Sequence, residues 1–111
     1  MGKYQRQKGK RGEREVVHLF RDAGFDEAER TVQNCGRSDD SSDVRVKRLS
    51  VFNIESKLGY SSQLDKWFEK AVMEAPDKEP LIFHRRDHGE WLCTVRATWL
   101  IGVLYEAQNK G

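Results

Sequence analysis

The chain has 111 residues, 37% hydrophobic and 34% charged, with a formal net charge of +2. This length predicts a single domain over residues 1–111, and no apolar run reaches the about 18–20 residues that a membrane-spanning helix needs. The start of the chain lacks the apolar segment of a signal peptide, so we expect a soluble, cytoplasmic protein without a membrane partner.

The first predicted feature is a basic N-terminal arm. Residues 1–14 hold six lysines and arginines against one acid, Glu13. We expect residues 1–11 to form a flexible arm that reaches a polyanion, with a solubilising tail as the alternative.

A helix is predicted next, from about Gly12 to Ala23, and Gly24 ends it. Its core-facing stripe at helical spacing comprises Val16, Leu19, Phe20 and Ala23. The later elements are a short strand at 30–35, a polar loop at 36–42, strands at 43–47 and 51–57, a helix from 61 or 62 to 75, a hairpin of strands at 81–86 and 91–95, and a helix at about 97–108. This order predicts a mixed α/β fold with a small central mixed β-sheet flanked by helices. The apolar last helix either completes the core or forms a dimer surface.

Two carboxylates are predicted to face each other across the first strand pair. If Leu49 is the midpoint of the turn, opposed residues have numbers that sum to 98, so Asp43 lies opposite Glu55. Residues two apart on a strand share a face, which places Lys57 beside Glu55. We expect the functional side chains on this face of the strand and the core residues on the opposite face.

The first helix supplies a third carboxylate. At about 100° per residue, Glu13 is close to Phe20 around the helix axis, whereas Glu15 points nearly the opposite way and is expected to face water. Each of these residues alone is typical of an ordinary surface charge. Together, carboxylates beside a lysine favour a hard divalent cation and a phosphate undergoing hydrolysis.

These motifs resemble the PD-(D/E)xK nuclease superfamily, and more narrowly the archaeal and phage-type Holliday junction resolvases. The resemblance rests on K-G-x-R-G-E-R-E at Lys8–Glu15, S-D-V at Ser42–Val44 and I-E-S-K at Ile54–Lys57, followed by a helix bearing Trp67 and a hairpin at Ile82–Leu92. The chain departs from the superfamily pattern at Ser42, where a proline usually precedes the aspartate.

The resemblance implies a restriction-endonuclease-like nuclease core and a role for each matched residue. Asp43 and Glu55 would hold Mg²⁺, for which Mn²⁺ could substitute. Glu13 would be a further metal-binding and catalytic acid, and Lys57 the catalytic lysine. The implied function is the resolution of four-way DNA junctions in recombination and repair, by a homodimer in a prokaryotic or phage-infected cell. The products would carry 5′-phosphate and 3′-hydroxyl ends.

Nucleic-acid contacts are expected from basic residues, which position a phosphate backbone without reading its sequence. The candidates are Lys8, Lys10, Arg11, Arg14, Arg37, Arg45, Lys47, Arg85 and Arg86. Two alternatives stay open: a related nicking, repair or restriction-type nuclease without junction preference, and a nucleic-acid-binding protein without cleavage activity.

Overall fold

The computed structural model describes the backbone of residues 3–31 and 42–109 and the side chains of residues 8–31 and 42–109. Within these ranges the chain forms three helices and five strands. In chain order they are α1 (Lys3–Asp22), β1 (Glu29–Arg30), β2 (Val44–Arg45), β3 (Phe52–Leu58), α2 (Leu64–Glu74), β4 (Glu79–Arg85), β5 (Leu92–Thr94) and α3 (Ala97–Asn109). Short 3-10 turns at Lys47–Leu49 and Ser61–Gln63 precede β3 and α2.

The five strands form one mixed sheet in chain order, β1-β2-β3-β4-β5. All neighbours are antiparallel except β3 and β4, which are parallel and joined by α2. Two parallel neighbours cannot be joined by a tight turn, so the chain uses a helix to return to the start of the next strand. The predicted mixed α/β fold with helices flanking a mixed sheet is confirmed at this level.

The predicted register of β2 and β3 is confirmed as well. Val44 lies opposite Ile54, so opposed residues have numbers that sum to 98. The connection at Lys47–Leu49 is a 3-10 turn in which the Leu49 amide donates to the Val46 carbonyl at 2.8 Å. This compact turn holds the register on which the relation between Asp43 and Glu55 depends.

The helix α1 begins at Lys3, so the basic segment expected as an arm is helical from that residue. Its inward face also differs from the predicted stripe. Val16 and Val17 are buried, whereas Leu19 and Ala23 are exposed. Close approach explains the rotation, because a Cβ on Gly12 would lie 3.0 Å from Leu58 Cγ.

Both faces of β3 are covered, which corrects the expectation of one buried and one open face. On one face α1 packs beside Ser56 and Leu58 through Gly12. On the other, the Asn53 amide donates to the Ala71 carbonyl of α2 at 3.0 Å. Because alternate residues of a strand point to opposite faces, Glu55 shares its face with Asn53 and lies on the α2 side.

The last helix, α3, contributes one side chain to this packing. Trp99 lies edge-on to Phe52, with ring centroids 5.5 Å apart. The other large apolar residues of α3 remain exposed: Leu100, Ile101, Val103, Leu104 and Tyr105. Of the two uses predicted for this helix, completing the core therefore accounts for Trp99 alone.

No helix in the described part of the chain is long and apolar enough to cross a bilayer.

Candidate active site

Asp43 and Glu55 are joined by two hydrogen bonds that cross between β3 and the residue preceding β2. The Asp43 amide donates to Glu55 Oε2 at 3.1 Å, and the Ser56 amide donates to Asp43 Oδ2 at 3.0 Å. Each carboxylate is thus held by a backbone N–H of the neighbouring segment. The two side chains are fixed beside each other, as the register predicted, and each keeps a second oxygen for another partner.

Glu55 is buried to an extent that is unusual for an acidic residue. Only 4% of it is exposed, and within the described residues it forms no ion pair within 4 Å. Burial and then the negative charge of Asp43 raise the pKa of Glu55 to about 8, against the opposing effect of Lys57. A carboxyl group in this condition takes up a proton or a cation when one is supplied.

Glu13 lies at the inward edge of α1, where the helix geometry predicted it. Its Oε1 accepts a hydrogen bond from Arg30 Nε at 3.1 Å. Burial and the charge of Asp43 nevertheless raise the pKa of Glu13 above its ordinary value, against the opposite effects of Arg30 and Lys57. Asp43 therefore stands within electrostatic range of both glutamates.

Lys57 is half-buried and acts on both glutamates through space, since its charge lowers the pKa of Glu13 and of Glu55. Among the described residues, no carboxylate lies within 4 Å of its ammonium. Lys57 therefore lies close enough to affect both glutamates but forms no ion pair with either. It is placed to interact with an anion that enters beside Glu55.

The donor set fits a small hard cation rather than an all-protein metal cage. Among residues 3–31 and 42–109, no group of three or more His, Cys, Asp and Glu is arranged to hold a metal ion. Mg²⁺ is commonly held by one or two carboxylates, with water and substrate phosphate completing its octahedron. Asp43 and Glu55 offer two such oxygens, while Glu13 already accepts a hydrogen bond from Arg30 and would act through water.

The candidate phosphate contacts fall into two groups. Lys10, Arg14 and Lys47 are exposed, and Lys8 and Arg86 line a small cavity at the end of β3. Three others already have acidic partners: Arg11 with Asp87 at 3.9 Å, Arg45 with Glu29, and Arg85 with Glu15. Arg37 lies outside the described residues.

A cluster that the sequence did not predict surrounds Glu15. Arg85 forms a two-pronged ion pair with Glu15, both bonds being 2.9 Å long, and Trp91 Nε1 donates to the same carboxylate at 2.9 Å. The Arg85 guanidinium also lies over the Trp91 ring, 5.4 Å from its centroid. The expectation that Glu15 faces water is therefore wrong, and these interactions lower its pKa. No local pattern signals contacts between residues 70 and 76 positions apart.

A cavity of about 690 Å³ in the described part of the chain does not include the carboxylates. It is lined by residues such as Glu29, Val46 and Phe52, and none of Glu13, Asp43, Glu55 and Lys57 borders it. A large apolar cavity is the default expectation for a small-molecule site. The cavity therefore gives no support to a small-molecule site built around the Asp43–Glu55 pair.

Comparisons with protein-family models, with curated proteins and with solved structures found no match for the chain. The resemblance of its short motifs to PD-(D/E)xK nucleases stays a prediction. Function is inferred from the Asp43–Glu55 pair, its burial and its neighbours.

Proposed function

We propose that the protein is a metal-dependent endodeoxyribonuclease of the restriction-endonuclease-like type, which cuts branched DNA. The observation that carries the proposal is the hydrogen-bonded Asp43–Glu55 pair, in which a buried carboxylate with a pKa of about 8 faces another acid without a neutralising ion pair among the described residues. A protein that only bound nucleic acid would gain nothing from this arrangement, because carboxylates repel phosphate.

Each residue has a defined part in the proposed hydrolysis. Asp43 and Glu55 would hold Mg²⁺, which would supply a Lewis acid for the phosphate and lower the pKa of water. Glu13 orients water at the edge of the pair, and Arg30 fixes the position of Glu13. Lys57 stabilises the negative charge that grows on the phosphate oxygens. Attack of water on phosphorus breaks the P–O3′ bond, the 3′-oxygen takes a proton from water, and a 5′-phosphate results.

The preference for a four-way junction, and the homodimer that goes with it, come from the resemblance of the motifs. Symmetric cutting of two strands requires two sites related by a twofold axis. The apolar surface of α3, with Leu100, Ile101 and Leu104 exposed, is where we expect the second copy to pack. A nuclease of the same fold without junction preference is the second candidate, since the same residues would form its site.

The test compares a labelled four-way junction with a matched linear duplex, each with Mg²⁺, with Mn²⁺ and with EDTA. We expect paired cuts in the junction with either metal and none with EDTA. Cuts in both substrates would favour the second candidate, and a junction that is bound but never cut would contradict the nuclease proposal.

The residue-level test is Asp43→Asn. We expect this variant to lose cleavage by at least about 100-fold, because an amide is a poor ligand for Mg²⁺, while its DNA binding in EDTA stays equal or improves. Asp77→Asn, an exposed aspartate in the turn before β4, is the matched control and should cleave normally. Unchanged cleavage by Asp43→Asn would remove Asp43 from the site.

A further inference from the structure

A single exposed aromatic residue follows the strand that carries Glu55 and Lys57. Tyr60 is 71% exposed and sits two residues beyond the end of β3. Among the residues whose side chains are described, none forms a hydrogen bond or ring contact with its side chain. Leaving a ring in water forfeits the stabilisation of burying it, about 1.5–3 kcal/mol for a large apolar side chain.

The backbone holds Tyr60 in a defined place. Gly59 has a φ of +156°, and its amide donates to the Arg85 carbonyl at 3.1 Å, which extends the pairing with β4. A Cβ at Gly59 would lie 3.4 Å from the Trp67 ring. Tyr60 itself is extended and leads directly into the turn at Ser61–Gln63. The ring therefore lies just beyond the C-terminal end of β3, on a short turn and not on a long loop.

Basic side chains share a cleft with this ring. A cavity of about 200 Å³ is lined by Lys8, Gly59, Tyr60, Arg86 and Asp87. Lys8 comes from α1 and Arg86 from the end of β4, so two different elements place positive charge around the ring. Asp87 is the opposing charge in the cleft, and Arg11 approaches it at 3.9 Å.

An aromatic face between a lysine and an arginine suits a nucleobase with phosphates on either side. Base stacking on an aromatic ring tolerates any sequence, and basic residues hold the flanking backbone. A base inside a duplex is already stacked on its neighbours and offers no face to a side chain. Only an unpaired or extruded base could lie against Tyr60.

We propose that Tyr60 stacks an unpaired nucleobase of the strand that enters the Asp43–Glu55 site, so that the substrate is DNA with an unpaired nucleotide at a branch, flap or bulge. The inference deepens the proposed nuclease function and rests on it for the position of the cut. The stacking itself is a binding property and is testable without cleavage.

The test uses a branched DNA with 2-aminopurine as the single unpaired nucleotide at the branch, and a second probe with the same base inside a paired arm, both in EDTA. We expect wild-type protein to quench the unpaired 2-aminopurine and not the paired one. Tyr60→Phe should behave like wild type. Tyr60→Ala should lose the quenching and bind the branched probe roughly 5- to 150-fold more weakly, the range for one base stacked on a ring.

Two controls separate stacking from a general surface contact. Met73→Ala removes another exposed large apolar side chain, on α2 and away from the face of α3 where we expect the second copy, and should leave both readouts unchanged. On a probe with an abasic site at the branch, wild type and Tyr60→Ala should bind equally, because the partner of the ring is already absent. Equal weakening of the paired, abasic and unpaired probes by Tyr60→Ala would overturn the proposal.

The inference and the proposed function fail in different ways. If wild-type protein cuts branched DNA with Mg²⁺ while Tyr60→Ala matches it in both binding readouts, the Tyr60 proposal is overturned and the nuclease stands. If stacking depends on Tyr60 but no substrate is cut with Mg²⁺ or Mn²⁺, the nuclease is contradicted and the base-binding cleft is supported.

Discussion

Replacing Glu55 with glutamine should make the protein more stable at neutral and alkaline pH. Glutamine keeps the shape of the protonated carboxyl group but cannot ionise. Burial and Asp43 raise the pKa of Glu55 from 4.5 to about 8. Because the folded-state pKa lies above the unfolded value, ionised Glu55 opposes folding, and wild-type stability falls as pH rises from about 4.5 to about 8.

The size of the effect follows from the two pKa values. One pKa unit corresponds to about 1.4 kcal/mol, so the difference between 4.5 and about 8 amounts to about 5 kcal/mol once Glu55 is fully ionised. At pH 7 about 3 kcal/mol of this is already present, and below pH 4 none remains because the group is protonated in both states.

Urea unfolding followed by tryptophan fluorescence at pH 4, 7 and 9, without divalent cations, measures this directly. Glu55→Gln should match wild type at pH 4 and exceed it by about 3 kcal/mol at pH 7. Glu69→Gln, an exposed glutamate on α2, is the matched control and should stay within about 0.5 kcal/mol of wild type throughout. Equal stability of wild type and Glu55→Gln at pH 9 would refute the reasoning about a buried, unneutralised charge.

Three further predictions follow from the site and from α3. Mg²⁺ at 100 times its dissociation constant should raise the unfolding free energy of wild type by about 3 kcal/mol at pH 8, and a similar rise in Glu55→Gln would contradict binding at this pair. Lys57→Met should slow cleavage of branched DNA about 100-fold or more while DNA affinity in EDTA changes less than about threefold; cleavage within a factor of two of wild type would exclude a role for its charge. Leu104→Lys should shift sedimentation from dimer to monomer, since a charge placed in an apolar contact costs more than the contact supplies, and an unchanged sedimentation coefficient would rule out α3 as the interface.

The parts of the fold that the sequence predicted are those set by local rules. The helices at Leu64–Glu74 and Ala97–Asn109 lie within a few residues of their predicted bounds, because apolar spacing and the proline after α2 determine them. The opposition of Asp43 and Glu55 was also predictable, since a short turn leaves few registers and each one decides which face a residue occupies.

Other features depend on contacts between distant segments, and no local pattern carries them. Glu55 is buried on the same face of β3 as Asn53, whose side-chain amide donates to the Ala71 carbonyl of α2. The contacts of Glu15 come from Arg85 and Trp91, which lie 70 and 76 positions further along the chain. The rotation of α1 follows from the fit of Gly12 against Leu58, which periodicity of apolar residues does not report.

The burial of Glu55 links these structural facts to the proposed chemistry. On an open strand face, water would solvate the carboxylate, and a pair with Asp43 would attract a cation only weakly. Buried as it is, Glu55 is poorly solvated, so a proton or a divalent cation gains more by binding there. Lys57 lowers the pKa of Glu55 but forms no ion pair within 4 Å in the described part of the chain. The negative charge of an ionised Glu55 is therefore not neutralised by this lysine. In the proposed nuclease, the burial of Glu55 would raise the affinity of the site for a divalent cation, at the expense of stability when the ion is absent.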